Sequence, residues 1–353
     1  MSKRRVFISD VHASTQGIGN YPHDYHWLSN QQIANLASFL QFLWQAKPDE
    51  VVILGDLFDN WVCPIDMRPP SIRDILTAAH NRPIIDGLNQ VLDAGVKVIF
   101  LAGNHDQLAT ADDLHQAMPK LTVADGWLTD CVYLDGRIHA EHGSSHAMFN
   151  APDPQHDPRK RLPLGYFITR VVTTRAARTG QTGRTWGSYL DDALETMFTS
   201  QKIAASVFEG VLEEAGIPES APITMPDGSS ITTGEVKARY ADLYDHWCAS
   251  HSGFGAGIRA VLAEFDYLDD FADQVCKRGG TNIVVLGHSH RPEIDKDTWF
   301  VDDRIYANAG AWCEDEDSGS FVEIVTTGKE HVVRVCEWDG TARKVRQQET
   351  LPR

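Results

Sequence analysis

No run in this chain is apolar for long enough to cross a bilayer. The longest, Glu50-Val-Val-Ile-Leu-Gly and Val96-Lys-Val-Ile-Phe-Leu-Ala, are strand-sized. The N-terminus starts basic, as a secretory signal does, but reaches Asp10 after a few apolar residues, too few for an h-region, so the protein is expected in the cytoplasm. Paired cysteines are also missing. The six present (Cys63, Cys131, Cys248, Cys276, Cys313 and Cys336) are scattered without a C-x-x-C, which excludes a zinc ribbon and suits reduced, buried thiols. Positive charge is scarce: the formal net charge of −17 argues against long nucleic acids as the main partner. It leaves phosphorylated small molecules open, because bound cations reverse the local field. No repeat or low-complexity tract is visible. With 42% hydrophobic and 23% charged residues, the 353-residue chain has the composition of a packed α/β protein.

What is present is a recurring device: a short β-branched run that ends in a polar cluster. Arg5-Val-Phe-Ile-Ser-Asp-Val-His12, Val51-Val-Ile-Leu-Gly-Asp56, Val98-Ile-Phe-Leu-Ala-Gly-Asn-His-Asp106 and Thr281-Asn-Ile-Val-Val-Leu-Gly-His288-Ser-His290 all follow it. His142-Gly143 ends a further run that begins at Cys131. Between the first three lie helical patterns at Ser29 to Gln45 and at Ile72 to Ala94, where Pro83 must start or kink a helix. Strand–helix–strand units imply buried strands, and functional loops collect at their carboxyl ends. The runs at Ile305, Ser320 and His331 are closely spaced and read as antiparallel strands.

Each polar cluster is weak evidence by itself. Asp10-x-His12 alone is a turn Asp and a surface His, and Gly55-Asp56-x-x-Asp59 alone is an Asx turn closing a strand. Lone histidines usually pack, and His80, His115, His139, His246 and His331 are read that way. Five clusters at five strand ends, all with metal-compatible side chains, are a different matter. Asp10, His12, Asp56, Asn104, His142, His288 and His290 are therefore candidate ligands. Mixed carboxylate and imidazole suits Mn, Fe or Zn better than Ca or Mg. A carboxylate such as Asp56 can bridge two cations about 3.5–4 Å apart. Asp59 is expected to orient a ligand, and Asp106 to fix the tautomer of His105.

In order and type, D-x-H, G-D-x-x-D, G-N-H-D, H-G and G-H-x-H resemble the calcineurin-like metallophosphoesterase superfamily. The resemblance implies a four-layer αββα sandwich, two mixed sheets flanked by helices. It implies one metal on Asp10, His12, Asp56 and His290 and another on Asp56, Asn104, His142 and His288, with Mn favoured and Fe or Zn as alternatives. It further implies that a hydroxide between the metals attacks phosphorus while His105, as catalyst, assists the leaving group. Gly55-Asp-Leu-Phe-Asp-Asn-Trp61 with Gly103-Asn-His-Asp106 and His288-Ser-His-Arg-Pro292 is most similar to the UDP-2,3-diacylglucosamine hydrolase branch. That branch usually has Asp where Ser144 stands, and a shorter lid, so the substrate is left at a small anionic phosphodiester or pyrophosphate. A phosphomonoesterase is the alternative. A non-catalytic scaffold is disfavoured because no ligand position is lost.

The expected organisation is a core of residues 1–143 plus 281–340, a mostly helical cap or insertion over 144–280, and a loose tail at 341–353. Within the insertion Trp186, Leu190, Leu194, Met197 and Phe198 share a helical face. Pro226-Asp-Gly-Ser229 suggests a hairpin, Thr232-Thr-Gly-Glu235 a capping box, and a last helix runs from Ile258 to Arg278. From Arg159 to Leu190 there is no acidic residue. That stretch is a candidate basic wall, with Arg161 and Arg170 as substrate-binding residues, and a candidate surface for anionic lipid headgroups. The competing reading is a solvated face. The insertion is also the expected site of any homodimer contact.

Overall fold

The computed structural model describes residues 2–15, 21–23, 25–126, 131–153, 155–156, 162–180, 203–251, 257, 259–261, 263, 268–297, 303–315 and 317–353. In chain order its elements begin β1 (Lys3–Ile8), α1 (Asn30–Ala46), β2 (Glu50–Ile53), α2 (Ile72–Thr77), α3 (Arg82–Asp93), β3 (Lys97–Phe100), α4 (Ala111–Ala117) and β4 (Thr122–Val123). Next come β5 (Tyr133–Asp135), β6 (Ile138–Ala140), α5 (Leu164–Thr179), α6 (Ile203–Ala215), β7 (Pro222–Thr224), β8 (Ser230–Thr232), α7 (Thr233–Arg239), α8 (Leu243–Ser250) and α9 (Asp269–Gly279). The chain closes with β9 (Ile283–Leu286), β10 (Glu293–Asp297), β11 (Arg304–Asn308), β12 (Gly319–Thr326), β13 (Glu330–Trp338) and β14 (Arg343–Pro352).

Alternation along the central strands builds the layers. One face of the sheet ordered β14-β13-β12-β1-β2-β3-β4 carries Val6, Ile8, Val51, Ile53, Val98 and Phe100, which pack under Leu36 and Leu40 of α1 and Ile84 and Leu88 of α3. The other face, with Phe7, Val52, Leu54 and Ile99, meets Ile138, Ala140, Ile283, Val285 and Ile305 of the sheet ordered β10-β11-β9-β6-β5. The far side of that second sheet presents Val284, Leu286 and Tyr306 to Ala272 and Cys276 of α9. Helix, sheet, sheet, helix is the resulting order. Each of these apolar side chains contributes about 1.5–3 kcal/mol by burial.

Local signals agree with the chain's course. Ser29 caps α1 with a full capping box, and Pro83 opens α3 rather than kinking a longer helix. The 226–229 turn joins β7 to β8, and the Thr232 box starts α7. Three expectations change. Residues 341–353 are no loose tail, because Arg343–Pro352 pairs antiparallel with β13 along its length. It is an edge strand with most side chains in solvent, and backbone pairing needs no apolar pattern. The Ile305 run leaves the meander for the second sheet, where it pairs antiparallel with β10 and in parallel with β9. Helix α9, counted with the cap, instead forms the fourth layer of the core. Arg161, the Trp186–Phe198 face and much of the 258–268 stretch lie outside the described residues. Among the described residues no helix is long and apolar enough to cross a membrane.

The insertion has its own apolar core, in which Tyr166, Phe167 and Val171 of α5 meet Val207, Phe208 and Val211 of α6. Trp61 and Ile65, from the loop after β2, belong to the same cluster. The insertion therefore rests on a loop that also serves the strand ends.

Away from those ends, Arg5 ties the two sheets. It is 4% exposed, donates from Nε to the Tyr133 hydroxyl at 3.0 Å, and pairs with Asp135, which also takes Lys3 at 2.6 Å. Burial alone would raise the Asp135 carboxyl, but Lys3 and Arg5 hold it down at about 2. A carboxyl depressed in the folded state stabilises fully above its unfolded value near 4 and loses that stabilisation as the pH falls towards 2. The urea midpoint of Asp135→Asn is thus expected below wild type from about pH 5 upward, with the gap closing on acidification. A gap independent of pH would contradict this assignment.

Candidate metal centre

Strands β1, β2 and β3 are parallel neighbours, and so are β6 and β9. Their carboxyl ends open at one edge of the sandwich, and the polar clusters follow them there. The loops are laced together: Val11 and His12 donate their backbone N–H to Asp56 O at 2.9 and 2.8 Å, and Gly287 N donates to His142 O at 2.9 Å. Two glycines allow this closeness. A Cβ on Gly103 would stand 2.2 Å from Asp56 Oδ1, and one on Gly55, where φ is +90°, 2.4 Å from Gly103 N.

Among the described residues six non-glycine residues have left-handed backbones: Asp10, His12, Lys47, Asp56, His288 and His290, with φ between 45 and 68°. Lys47 caps α1. The other five are all candidate ligands, and conformations of this kind cost about 1–3 kcal/mol each. Hydrogen bonds from neighbouring loops hold them.

Around Asp56 the carboxylate uses both oxygens. Oδ1 accepts from His105 N at 2.8 Å, and Oδ2 stands 3.1 Å from His142 Nε2. His142 donates Nδ1–H to Leu54 O at 2.7 Å, so its Nε2 is left facing Asp56 and, at 2.9 Å, Asn104 Oδ1. Burial would lower the His142 imidazole, but Asp56 and Asp10 raise it to about 9. His288 lies beside it, ring centroids 5.2 Å apart, and is pushed down to about 3 by burial and by the charge of His142.

A second group centres on Asp10. His12 Nδ1 donates to Asp59 Oδ2 at 2.9 Å and His290 Nδ1 to Glu314 Oε1 at 2.6 Å. Their Nε2 atoms then face each other at 3.2 Å, with buried Asp10 Oδ1 at 3.3 Å from His290 and without a hydrogen-bond partner. Two imidazole nitrogens and an orphaned carboxylate oxygen turned on one point suit a cation. The sets Asp10, Asp56, His142 and His12, Asp56, His105 likewise bring one donor atom each within 4.8 Å of the others.

His105 Nδ1 donates to Asp59 Oδ2 at 2.9 Å, the same oxygen that takes His12. Asp59 therefore sets both tautomers. The role expected of Asp106 is corrected: it accepts the backbone N–H groups of Gly103, Leu57 and Phe58 at 2.7, 2.9 and 3.3 Å and fastens one loop to another. Asp106 directly follows His105 in the sequence, but its carboxylate oxygens are taken up by backbone N–H groups. Trp61 stacks on His105 at 3.9 Å between centroids, and Asn150 accepts from Asn104 Nδ2 at 3.2 Å. Sequence reading missed Trp61, Asn150 and Glu314 as parts of this site. The acidic run after Cys313 was a usable signal for Glu314, and nothing marked Asn150.

Arg170 is not a substrate contact. It is fully buried, donating to the carbonyls of Cys63, Pro64, Met67 and Thr224 and to the Tyr166 hydroxyl. Arg175, from the same stretch, pairs with Glu214 at 3.1 Å. An arginine among apolar residues reads as a surface cation until the loop that wraps it is known.

Residues 3–167 match the family model for calcineurin-like phosphoesterases. Over that stretch, just under half of its length, the chain is similar to calcineurin-like phosphoesterases. Its relatives include proteins named UDP-2,3-diacylglucosamine hydrolase. That of Edwardsiella ictaluri is 37% identical over 105 residues (29% of this chain, 31% of the relative), and that of Xanthomonas axonopodis pv. citri 31% over 178 residues (49% and 60%). The chain thus spans less than two thirds of the length of these relatives. A dimetal phosphatase from Danio rerio is similar in structure at a TM-score of 0.42 and 11% identity, covering 99% of this chain and 98% of that one, a likeness too distant to bear on function.

Proposed function

We propose that the protein is a binuclear-metal-dependent phosphoesterase acting on a small anionic phosphodiester or pyrophosphate. The observation that carries the reading is the convergence of His12 Nε2, His290 Nε2 and Asp10 Oδ1 within 3.2–3.8 Å of one another, the carboxylate oxygen being buried and without a hydrogen-bond partner. In this reading one cation takes Asp10, His12, Asp56 and His290, and the other takes Asp56, Asn104, His142 and His288. Cations bound there would supply an activated water nucleophile near neutral pH and neutralise charge on the phosphoryl oxygens. Mn is the favoured metal, with Fe or Zn as alternatives, since the donor set is mixed O and N.

The chain's own residues do the rest. Asp59 and Glu314 fix the imidazoles so that each Nε2 stays available to the centre. His105, oriented by Asp59 and held flat against Trp61, keeps Nε2 for a proton or hydrogen bond to the leaving oxygen. The relatives' names support a nucleotide-linked lipid precursor as the substrate class. The six free cysteines fit work in the cytoplasm.

The test is a panel on metal-stripped protein with single metals restored: bis(p-nitrophenyl) phosphate, p-nitrophenyl phosphate and UDP-sugars. Activity is expected to be lost on stripping, to return with Mn, and to favour the diester or the UDP-sugar. Equal turnover without metal defeats the proposal, and preference for the monoester moves it to a phosphomonoesterase.

A further inference from the structure

Outside the strand-end centre, one more group of metal-competent side chains converges among the described residues. Asp153 lies in the loop that leads into the insertion, and its side chain is wholly buried. His156 Nδ1 stands 2.9 Å from Asp153 Oδ2. His246, from α8, places its Nδ1 3.2 Å from Oδ1 and 3.3 Å from Oδ2. One donor atom from each of the three lies within 4.8 Å of the others. In a tetrahedral zinc site with bonds of about 2.0–2.1 Å, ligand atoms stand about 3.3 Å apart. The two Asp–His spacings here, 2.9 and 3.2 Å, are of that size, and all three donor atoms lie within 4.8 Å.

We infer that Asp153, His156 and His246 bind a divalent transition cation of the zinc class, at a site separate from the catalytic centre. Two imidazoles and one carboxylate, with no thiolate, leave a fourth tetrahedral position for water. The carboxylate at the bottom of the site is sealed off, whereas the His156 and His246 side chains are 38% and 30% exposed. A cation can enter past the rings and find its negative partner inside. His246 has the sequence context of a packing histidine, and its neighbours in space, not in sequence, distinguish it.

The position gives the site its consequence. The same loop contains Asn150, whose Oδ1 accepts from Asn104, and Gln155, whose Nε2 donates to Ser250 at 2.8 Å. A cation on Asp153 would staple the insertion's α8 to the segment that touches Asn104. The occupied site therefore stabilises the insertion over the strand ends without taking part in turnover.

Full-length wild type, His156→Ala/His246→Ala and Asp10→Asn are dialysed against excess zinc and their bound metal counted by inductively coupled plasma mass spectrometry. The double variant is expected to hold one equivalent fewer than wild type. Adding the two histidine changes to Asp10→Asn is expected to remove the same equivalent again. His246→Gln, which keeps the volume of the ring, is the second variant. Placed in the Asp10→Asn background, it is expected to stay folded by circular dichroism and to diminish the zinc-induced rise in melting temperature that Asp10→Asn alone retains. Equal zinc content in wild type and the double variant, or an equal rise in Asp10→Asn with and without His246→Gln, overturns the inference.

Discussion

Asp56→Asn is expected to fold and to lose about a thousandfold or more in kcat/KM, equivalent to about 4 kcal/mol of transition-state stabilisation. Asp56 is the carboxylate between the two histidine groups: Oδ2 is 3.1 Å from His142 Nε2 and 3.9 Å from His12 Nε2. Burial opposes its charge, yet His142 and His105 hold its carboxyl down at about 2. Amide substitution keeps the shape but removes the charge and turns one acceptor into a donor, so either cation would lose a ligand. Kinetics with bis(p-nitrophenyl) phosphate and metal content of the same preparation check this together. A loss below tenfold with full metal content would mean that Asp56 is not the bridging group. The change should appear in kcat and bound metal more than in the melting temperature.

Arg170→Met should instead appear in stability. The guanidinium donates to four carbonyl oxygens and one hydroxyl and lies 5.5 Å from the Tyr166 ring centroid, with no carboxylate partner among these contacts. Methionine fills much of the volume but leaves those acceptors buried and unmet, a loss of about 3–5 kcal/mol. For a chain of this size that is a drop in melting temperature of about 5 °C. Arg170→Lys should not rescue it, because one ammonium cannot reach acceptors spread across a planar fork. Tyr166 also touches Trp61 edge-on, centroids 5.8 Å apart, and Trp61 stacks on His105. A fall in kcat is therefore expected alongside, with KM little changed. Unaltered melting with a raised KM would restore the substrate-binding reading of Arg170.

These two residues show where the sequence was readable. Asp56 sits at the end of a β-branched run, and the continuous apolar stretch of Val51 to Leu54 was enough to place it beside its counterparts after β1 and β3. The αββα layering followed from the resemblance of the motifs to a known family rather than from the runs themselves. Which face α9 covers did not, because an amphipathic helix is drawn alike whether it lies on a cap or a core sheet. Strand β14 was hidden for the opposite reason: an edge strand can be stabilised by backbone pairing and ion pairs such as Arg346 with Glu337, leaving no apolar signature. Asp59 stands four positions after Gly55 whereas Asp106 directly follows His105, so nearness in sequence pointed to Asp106 as the partner for His105. Only the approach of the loop after β2 to the loop after β3 decides it. Arg170 was misread because four of its acceptors are backbone carbonyls, three of them about a hundred residues earlier, which carry no side-chain signal.

The left-handed residues at the strand ends bear on any attempt to make this protein more heat-resistant. A designer guided by backbone energetics would put glycine at Asp10, His12, Asp56, His288 and His290, where it relieves the unfavourable φ. Each such change trades a proposed cation ligand for conformational comfort. Screens that score survival at high temperature would then enrich sturdy, inactive variants, and selection has to read turnover and melting in the same experiment.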